Sequence, residues 1–369
     1  MHSDRQIFIS QSALTANYQA ITQHVQGSEV IAYIKSDAYG HGLTSVAQTL
    51  SAAGCGYFAV ASINELIAIR QVNQTARVLV SSSYYSPENL EIIAHYRGDI
   101  VVFHEDTVNL LASCQLSYPL SVWLKVNTGM NRMGIMPGHF STILKRLRTC
   151  KNVAEEDLII MTHFASADHV DSPQTAQQIA QFDTLTAGLP YRRSAANSAA
   201  ILHFPHSYYD IVRPGLLLYG ISPVDRTHPL TQSLTPVMTV SSRVIAINQV
   251  DVGGQVGYRA TWMATRPTTT AVIAFGYGDG YPLNVKHPAS VVIAGKHCPL
   301  IGRISMDTMI ADITDCADVA VGDQVELWGE QITVSEVAQL AGTIPYEVLT
   351  HISTKRADRV DDKGEAYVY

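Results

Sequence analysis

Lys35 ends an apolar run, "VIAYIK" (30–35), and is followed by "SDAYGHG". A lysine at a strand end is ordinarily a solvated terminus or a salt-bridge partner. The residues that close the other apolar runs open a second role. They are Lys125 and Asn127, with Arg132 just beyond, then His163, Asn197 and Ser198, and Arg213 with Gly215. Tyr39 and His41 follow Lys35 in its own loop. Amines, guanidinia, an imidazole and hydroxyls recur at these ends, while carboxylates are scarce. A site of that balance expects an anionic ligand. A lysine amine desolvated among cations has a lowered pKa and becomes a nucleophile toward carbonyls. A reactive lysine beside a phosphate anchor is the pair a pyridoxal phosphate enzyme requires, one to form an imine and one to hold the cofactor.

These residues share a site only if the runs that carry them are parallel strands. Eight such runs succeed one another: 30–35, 56–62, 76–83, 99–104, 120–127, 157–165, 192–198 and 209–220. Helix-period segments lie between them, such as "SINELIAIRQV" and "SPENLEIIAHYR". In the second, Leu90, Ile93 and Ala94 share a face, and Ser86 before Pro87 is an N-cap signal. Strands alternating with helices imply parallel βαβ units, and eight in a row imply an α/β fold of the (β/α)8 barrel type. A doubly wound open sheet is the rival. The count of eight, and the lack of G-x-G-x-x-G after the first strand, favour the barrel. Its strand ends would form the active face, with Ser198 and Gly215 closing strands seven and eight, where barrels commonly hold phosphate.

After Gly220 the pattern turns β-rich, with only "TVSEVAQLAG" and "YEVLTHIS" reading as helices. The expected organisation is a cofactor-binding barrel over residues 11–221 and a mostly antiparallel β domain over 222–369. Residues 1–10, with the short strand "QIFIS", are a candidate to join the second domain.

The totals fit this reading. The chain has 369 residues, beyond the size at which single cores stop growing. Net charge is −7, which gives no footing for nucleic acid or an anionic membrane. Five scattered cysteines without C-x-x-C argue against a disulfide framework or structural zinc. His163, Asp168 and His169 are likewise not at a usual zinc-ligand spacing, and no metal is expected. With no apolar leader and no spanning run, the expectation is a soluble cytoplasmic protein.

The motif "YIKSDAYGHG" resembles the cofactor-lysine block of the alanine racemases. "WLKVNTGMNRMG" (123–134), "THFASAD" (162–168), "IVRPGLLLYG" (211–220), "GYRATW" (257–262), "GYGDGY" (276–281) and "GRISMD" (302–307) resemble further blocks of that family, in its order. The resemblance spans nearly the whole chain. It implies a barrel plus a β domain working as a head-to-tail homodimer. It also implies a pyridoxal 5'-phosphate-dependent isomerase that interconverts L- and D-alanine and supplies D-alanine for peptidoglycan.

Residue by residue, the resemblance implies that Lys35 carries the cofactor and acts as one catalytic base. Tyr39, Asn197, Ser198 and the backbone at Gly215 and Leu216 would serve the phosphate side. Arg213 would face the pyridine nitrogen, and His163 would sit behind the ring and orient Arg213. Arg132 would contact substrate, with Lys125, carbamylated in many relatives, beside it. Tyr258 would be the second base, contributed by the partner subunit with Met306 and Asp307, and Tyr277 would support that face. His41 reads as part of the turn, and the glycines of "GYGDGY" as turn residues.

Two bases flanking one carbon suit racemisation, since one proton leaves one face and another arrives at the opposite one. The chain departs from the family at Ser36 and Asp37, and at Ser353 and Thr354, where many relatives carry a tyrosine. Competing readings are a racemase of serine or of a broader amino-acid range, a barrel-type basic amino-acid decarboxylase, and a non-catalytic pyridoxal-phosphate-binding protein. The decarboxylase is disfavoured by the second-domain blocks, and the binding protein by the length of the chain.

Overall fold

The structure is a computed structural model that describes residues 4–367 apart from 225, 226, 317, 354, 355, 363 and 365. It divides into two compact units. One comprises Leu14–Ala38 and Gly42–Leu234. The other comprises the chain up to Ala13, Tyr39–His41, and the chain from Thr235 onward.

In the first unit the strands Tyr57–Val60, Arg77–Val80, Asp99–Val102, Val122–Lys125, Ile159–Met161, Arg192–Asn197 and Ile211–Arg213 pair in parallel, each with the next. The first stave is in two pieces, Glu29–Val30 and Ala32–Tyr33. The first piece pairs with Ile211–Arg213 and the second with Tyr57–Val60. Nine strand segments therefore make a closed ring of eight staves. Backbone bonds from Ile31 N–H to Val212 (2.9 Å) and from Tyr33 N–H to Pro214 (3.0 Å) continue the ladder across the break. This is the (β/α)8 barrel that the eight runs imply.

Alternation explains its filling. Ile31, Tyr57, Ala59, Leu79, Val101, Trp123, Ile159, Met161 and Ile211 are buried together, with Tyr33 and Phe103 against them. Several are two apart on one stave, as the pleat requires of residues on one face. The outer helices begin where the side chains can cap them. Ser62 and Glu65 form a capping box for Ile63–Val72, and Ser86 caps Pro87–His95. The eighth run is shorter as a strand than its apolar length suggests. Pro214 has no N–H to continue the ladder, and Leu216–Tyr219 is a 3-10 helix capped by Gly220 in the left-handed region.

The second unit is built on antiparallel pairings. Its long strand Met238–Val250 pairs antiparallel with Gln324–Trp328 and with Thr268–Ile273. Gln6–Ile9 lies inside the sheet, antiparallel to Met238–Ser241 and parallel to Asp358–Asp361, with Ile7 and Ile9 buried. Val334–Ala341 and Pro345–His351 are helices. Among the described residues no helix is long and apolar enough to cross a membrane.

Candidate active site

Lys35 stands where the first stave ends and a left-handed turn begins. Ser36, Asp37, Ala38 and Tyr39 all have φ between 53° and 55°, yet none is glycine. For L-residues that conformation costs about 1–2 kcal/mol each. Within the barrel unit it is held by hydrogen bonds. Ser36 N–H donates to Glu65 Oε1 (2.6 Å), Ala38 N–H to Ile34 (2.9 Å), Gly42 N–H to Asp37 (3.0 Å), and Leu43 N–H to the Asp37 carboxylate (2.7 Å). Strain over-determined in this way is a mark of functional sites. Burial, then the Arg132 guanidinium, pull the Lys35 amine below its usual pKa, with Glu65 opposing.

Lys125 ends the fifth stave and is buried. The chain then doubles back: Ile135 N–H donates to the Lys125 carbonyl (2.8 Å) and Asn127 N–H to Ile135 (2.9 Å). The Asn127 side chain accepts from the amides of Gly129 (3.1 Å) and Asn131 (3.0 Å). Gly134 has φ +135°, and a Cβ there would lie 2.6 Å from Asn127 N, so only glycine fits. This closed loop carries Arg132, which is exposed. Asn127 reads in the sequence only as a strand end, and in the structure its role is to shape the loop.

Arg213 is buried, and its guanidinium is fixed by four acceptors. They are Ser194 Oγ (2.5 Å), the carbonyls of Thr162 (2.7 Å) and Ala195 (3.0 Å), and His163 Nδ1 (3.4 Å). Arginine can only donate, so His163 Nδ1 accepts. Burial and the cations Arg213, Lys125, Arg132 and Lys35 push the imidazole well below its usual pKa, so His163 is neutral. Gln178, which no sequence pattern singles out, donates to the His163 carbonyl (3.0 Å).

Asn197 caps the short helix Ser198–His203 through Ala200 N–H (3.0 Å). Ser198 Oγ accepts from Gly215 N–H (3.0 Å) and Leu217 N–H (3.5 Å), bringing the ends of the last two staves together around Leu216. The barrel unit thus gathers Lys35, Lys125, Arg132, His163 and Arg213 into one set, in which neighbouring cations lower the pKa of the two lysines and the histidine. Glu65 is the one carboxylate among the influences on these lysines and the histidine.

That imbalance is measurable. The buried Lys125 amine is lowered to about 8, by burial first and then by Arg213, Arg132 and Lys35. The unfolded chain keeps this proton to roughly pH 10.4. Between the two values unfolding takes up a proton, so stability rises with pH across that window. Below pH 8 the penalty is fully present. In cofactor-free protein Lys125→Met should therefore melt above wild type at pH 7, and the gap should shrink between pH 8 and pH 10. A gap that does not change with pH would count against a depressed amine.

The remaining residues of the reading lie in the second unit. Tyr39 is buried there, its ring 5.8 Å from that of Tyr346, and its carbonyl is 2.9 Å from His41 Nδ1. Tyr258 tips a hairpin of Gln255–Val256 and Trp262–Met263 and is 69% exposed. Gly257 packs against the backbone of Gly302 and Arg303, so the "GYRATW" and "GRISMD" blocks are neighbours. Tyr277 N–H donates to Ser305 (3.0 Å) and Gly278 N–H to Met306 (2.8 Å), which joins "GYGDGY" to the same place. Tyr258, Tyr277 and Met306 are all exposed large apolar side chains, and Asp307 is exposed beside them. The glycines of "GYGDGY" do serve a turn: Gly280 has φ +105°, and a Cβ there would meet the His351–Ile352 backbone. Ser353 N–H donates to the Asp279 carbonyl (2.9 Å), while Thr354 lies outside the described residues.

The family model of the alanine racemase N-terminal domain matches residues 9–223, and that of the C-terminal domain matches residues 237–360. The chain is 41% identical over 349 residues to the alanine racemase of Shewanella baltica, covering 95% of this chain and 97% of the relative. It is 40% identical over 357 residues to that of Shewanella amazonensis, covering 96% and 98%. Among solved structures, the biosynthetic alanine racemase of Pseudomonas aeruginosa matches with a TM-score of 0.93 at 34% identity, covering 98% of this chain and 100% of that one. The alanine racemase of Bartonella henselae, described with covalently bound pyridoxal phosphate, matches with a TM-score of 0.87 at 31% identity, covering 97% and 99%. On these likenesses and on its barrel and β unit, the chain belongs to the alanine racemase family, a family of isomerases.

Proposed function

We propose that this protein interconverts L- and D-alanine with pyridoxal 5'-phosphate, in the cytoplasm, supplying D-alanine for peptidoglycan. The observation that carries the reading is the barrel mouth. There a lysine with a lowered pKa stands among Lys125, Arg132, Arg213 and a neutral His163. Such a donor set fits an anionic carbonyl cofactor and a carboxylate substrate.

Lys35 would hold the cofactor covalently. Ser198, Asn197, Tyr39 and the backbone at Gly215 and Leu216 would serve its phosphate. Arg213 is the residue assigned to the ring nitrogen. A guanidinium keeps its protons, and four acceptors keep this one from turning. When bound, pyridoxal phosphate supplies the electron sink that acidifies the Cα proton.

The two-base assignment gives each residue one proton. Lys35 Nζ takes or returns it on one face of Cα. Tyr258 of a second copy does so on the other, with Met306 N–H and Arg132 on the substrate carboxylate and Asp307 and Tyr277 close by. The exposure of Tyr258, Tyr277 and Met306 supports a homodimer in which each copy completes the other's site. Incubation with L-alanine and pyridoxal phosphate, followed by chiral chromatography, should give an equal mixture of enantiomers. L-alanine that stays optically pure would overturn the reading.

Lys125 has a further expected behaviour. An amine at about 8 has a usable neutral fraction at neutral pH. Addition of carbon dioxide, with loss of a proton, would turn it into a carbamate and give Arg132 an anion. Activity should then fall severalfold in carbon dioxide-free buffer and return with bicarbonate, while Lys125→Ala responds to neither. An unchanged wild-type rate under both conditions would exclude the carbamate.

A further inference from the structure

We propose that Asp279 is a positioning residue for the substrate-carboxylate end of the site, acting through the loop that carries Met306 and Asp307. The inference rests on the racemase reading for its functional half, while its structural half stands on geometry alone.

The Asp279 side chain is wholly buried. One oxygen accepts from Gly276 N–H (2.9 Å), closing its own turn. The other faces Arg5 Nε at 3.0 Å and Arg356 Nε at 3.2 Å. Both are charge contacts rather than linear hydrogen bonds. The same two arginines reach onward. Arg356 Nη2 pairs with the Asp307 carboxylate, and Arg5 Nη2 donates to the Asp307 carbonyl (3.4 Å). Two carboxylates and two guanidinia make a balanced box. Its corners come from the N-terminal segment, the "GYGDGY" turn, the "GRISMD" loop and the segment after Ser353, whose N–H is held by the Asp279 carbonyl (2.9 Å).

The turn that Asp279 closes sets the direction of one amide. The Ser305 carbonyl is held by Tyr277 N–H (3.0 Å) and the Met306 carbonyl by Gly278 N–H (2.8 Å). In a trans peptide the N–H points opposite to its carbonyl. Met306 N–H therefore points away from the "GYGDGY" turn, on a residue that is 53% exposed. A side chain at 276 would collide with the Ser305–Met306 backbone, and one at 278 would crowd the Met306 carbonyl and meet the Arg356 guanidinium, so at Gly276 the two loops meet backbone to backbone. Asp279 ties this turn, through Gly276 N–H, to the two arginines that reach Asp307. A buried ion pair adds little net stability, but loss of one member leaves a charge stranded and shifts what it holds. Position is accordingly what Asp279 supplies.

The test is Asp279→Asn in the full holoenzyme, with two readouts. Hydrogen exchange should quicken at 302–308 and stay unchanged in the barrel staves. KM for alanine should rise on the order of tenfold, with kcat within about threefold, as for a lost interaction common to bound substrate and transition state. Adding Arg5→Met removes one stranded charge, and should restore the melting temperature without restoring KM. Should Asp279→Asn fail to fold, Arg356→Gln, which leaves the Arg5 pair, should shift both readouts in the same directions by less. Unchanged exchange at 302–308 would overturn the inference, and so would recovery of KM together with melting temperature. If wild type leaves alanine unracemised, it is the functional reading that fails, and exchange still decides whether Asp279 holds the loop.

Discussion

Lys35→Ala should lower kcat/KM for alanine racemisation by roughly four orders of magnitude, the scale expected when a residue serves both as nucleophile and as general base. The barrel mouth explains why no neighbour can substitute. Lys125 is buried at the end of another stave, with its own amine depressed and its carbonyl tied into the Arg132 loop. Arg132 and Arg213 carry guanidinium groups, which offer no amine to form an imine. The left-handed turn fixes where the Lys35 side chain starts, so an amine on another stave would arrive from the wrong origin. Chiral chromatography measures the loss. Borohydride reduction followed by peptide mapping should place pyridoxal phosphate on the wild-type peptide that contains Lys35 and on no peptide of the variant. A small amine such as methylamine should restore part of the activity by entering the space left. A variant that keeps more than about a tenth of wild-type activity would remove Lys35 from its role.

Tyr258→Phe should show exchange without racemisation. The two enantiomers have equal free energies, so kcat/KM must fall by one factor in both directions. A fall of about 10²–10⁴ is the range for loss of a general acid–base group. Rates of racemisation alone therefore cannot say which face lost its base. Proton NMR in deuterium oxide can. The enantiomer whose Cα proton faces Lys35 should keep exchanging with solvent, while its mirror image stops. Tyr258 sits at the tip of a two-stranded hairpin, with Arg259 and Ala260 in the left-handed region after it, and is largely exposed. Removing one hydroxyl there should leave the melting temperature unchanged. Equal exchange of both enantiomers in the variant would end the two-base assignment.

Most of the staves are legible in the sequence as apolar runs with β-branched or aromatic residues between helix-period segments, whereas Arg192–Asn197 has neither and is legible only by its place in the alternation. Spacing alone places Leu90, Ile93 and Ala94 inward, and they are buried. Other features are hidden by their physics. No glycine marks the left-handed turn at Ser36–Tyr39, and the carboxylate that holds Ser36 N–H belongs to Glu65, 29 positions on. The apolar run at 209–220 does not reveal its change from strand to 3-10 helix, because leucines are buried equally well in either. Arg213 is legible as a strand-end cation. Its locking by Ser194 and by backbone carbonyls of other staves is not, because carbonyls carry no sequence signal. The Asp279 box is invisible for a related reason: Arg5 and Arg356 stand 274 and 77 positions away (279 − 5 and 356 − 279). Only the resemblance, and no spacing rule, singles out Tyr258 among 18 tyrosines.

The strand Gln6–Ile9 leaves the ribosome long before either of its neighbours in the sheet exists. Its antiparallel partner begins at Met238 and its parallel partner at Asp358. At about 5–20 residues per second, that is a wait of roughly ten to fifty seconds for the first neighbour alone. Through that time two isoleucines that end up fully covered stand in water on an unpaired strand, a template for other nascent chains. Yield during synthesis should consequently be sensitive to polar substitutions at Ile7 and Ile9 and to whatever holds the emerging N-terminus. A trimmed front end would remove an interior stave of the β unit rather than a loose tail.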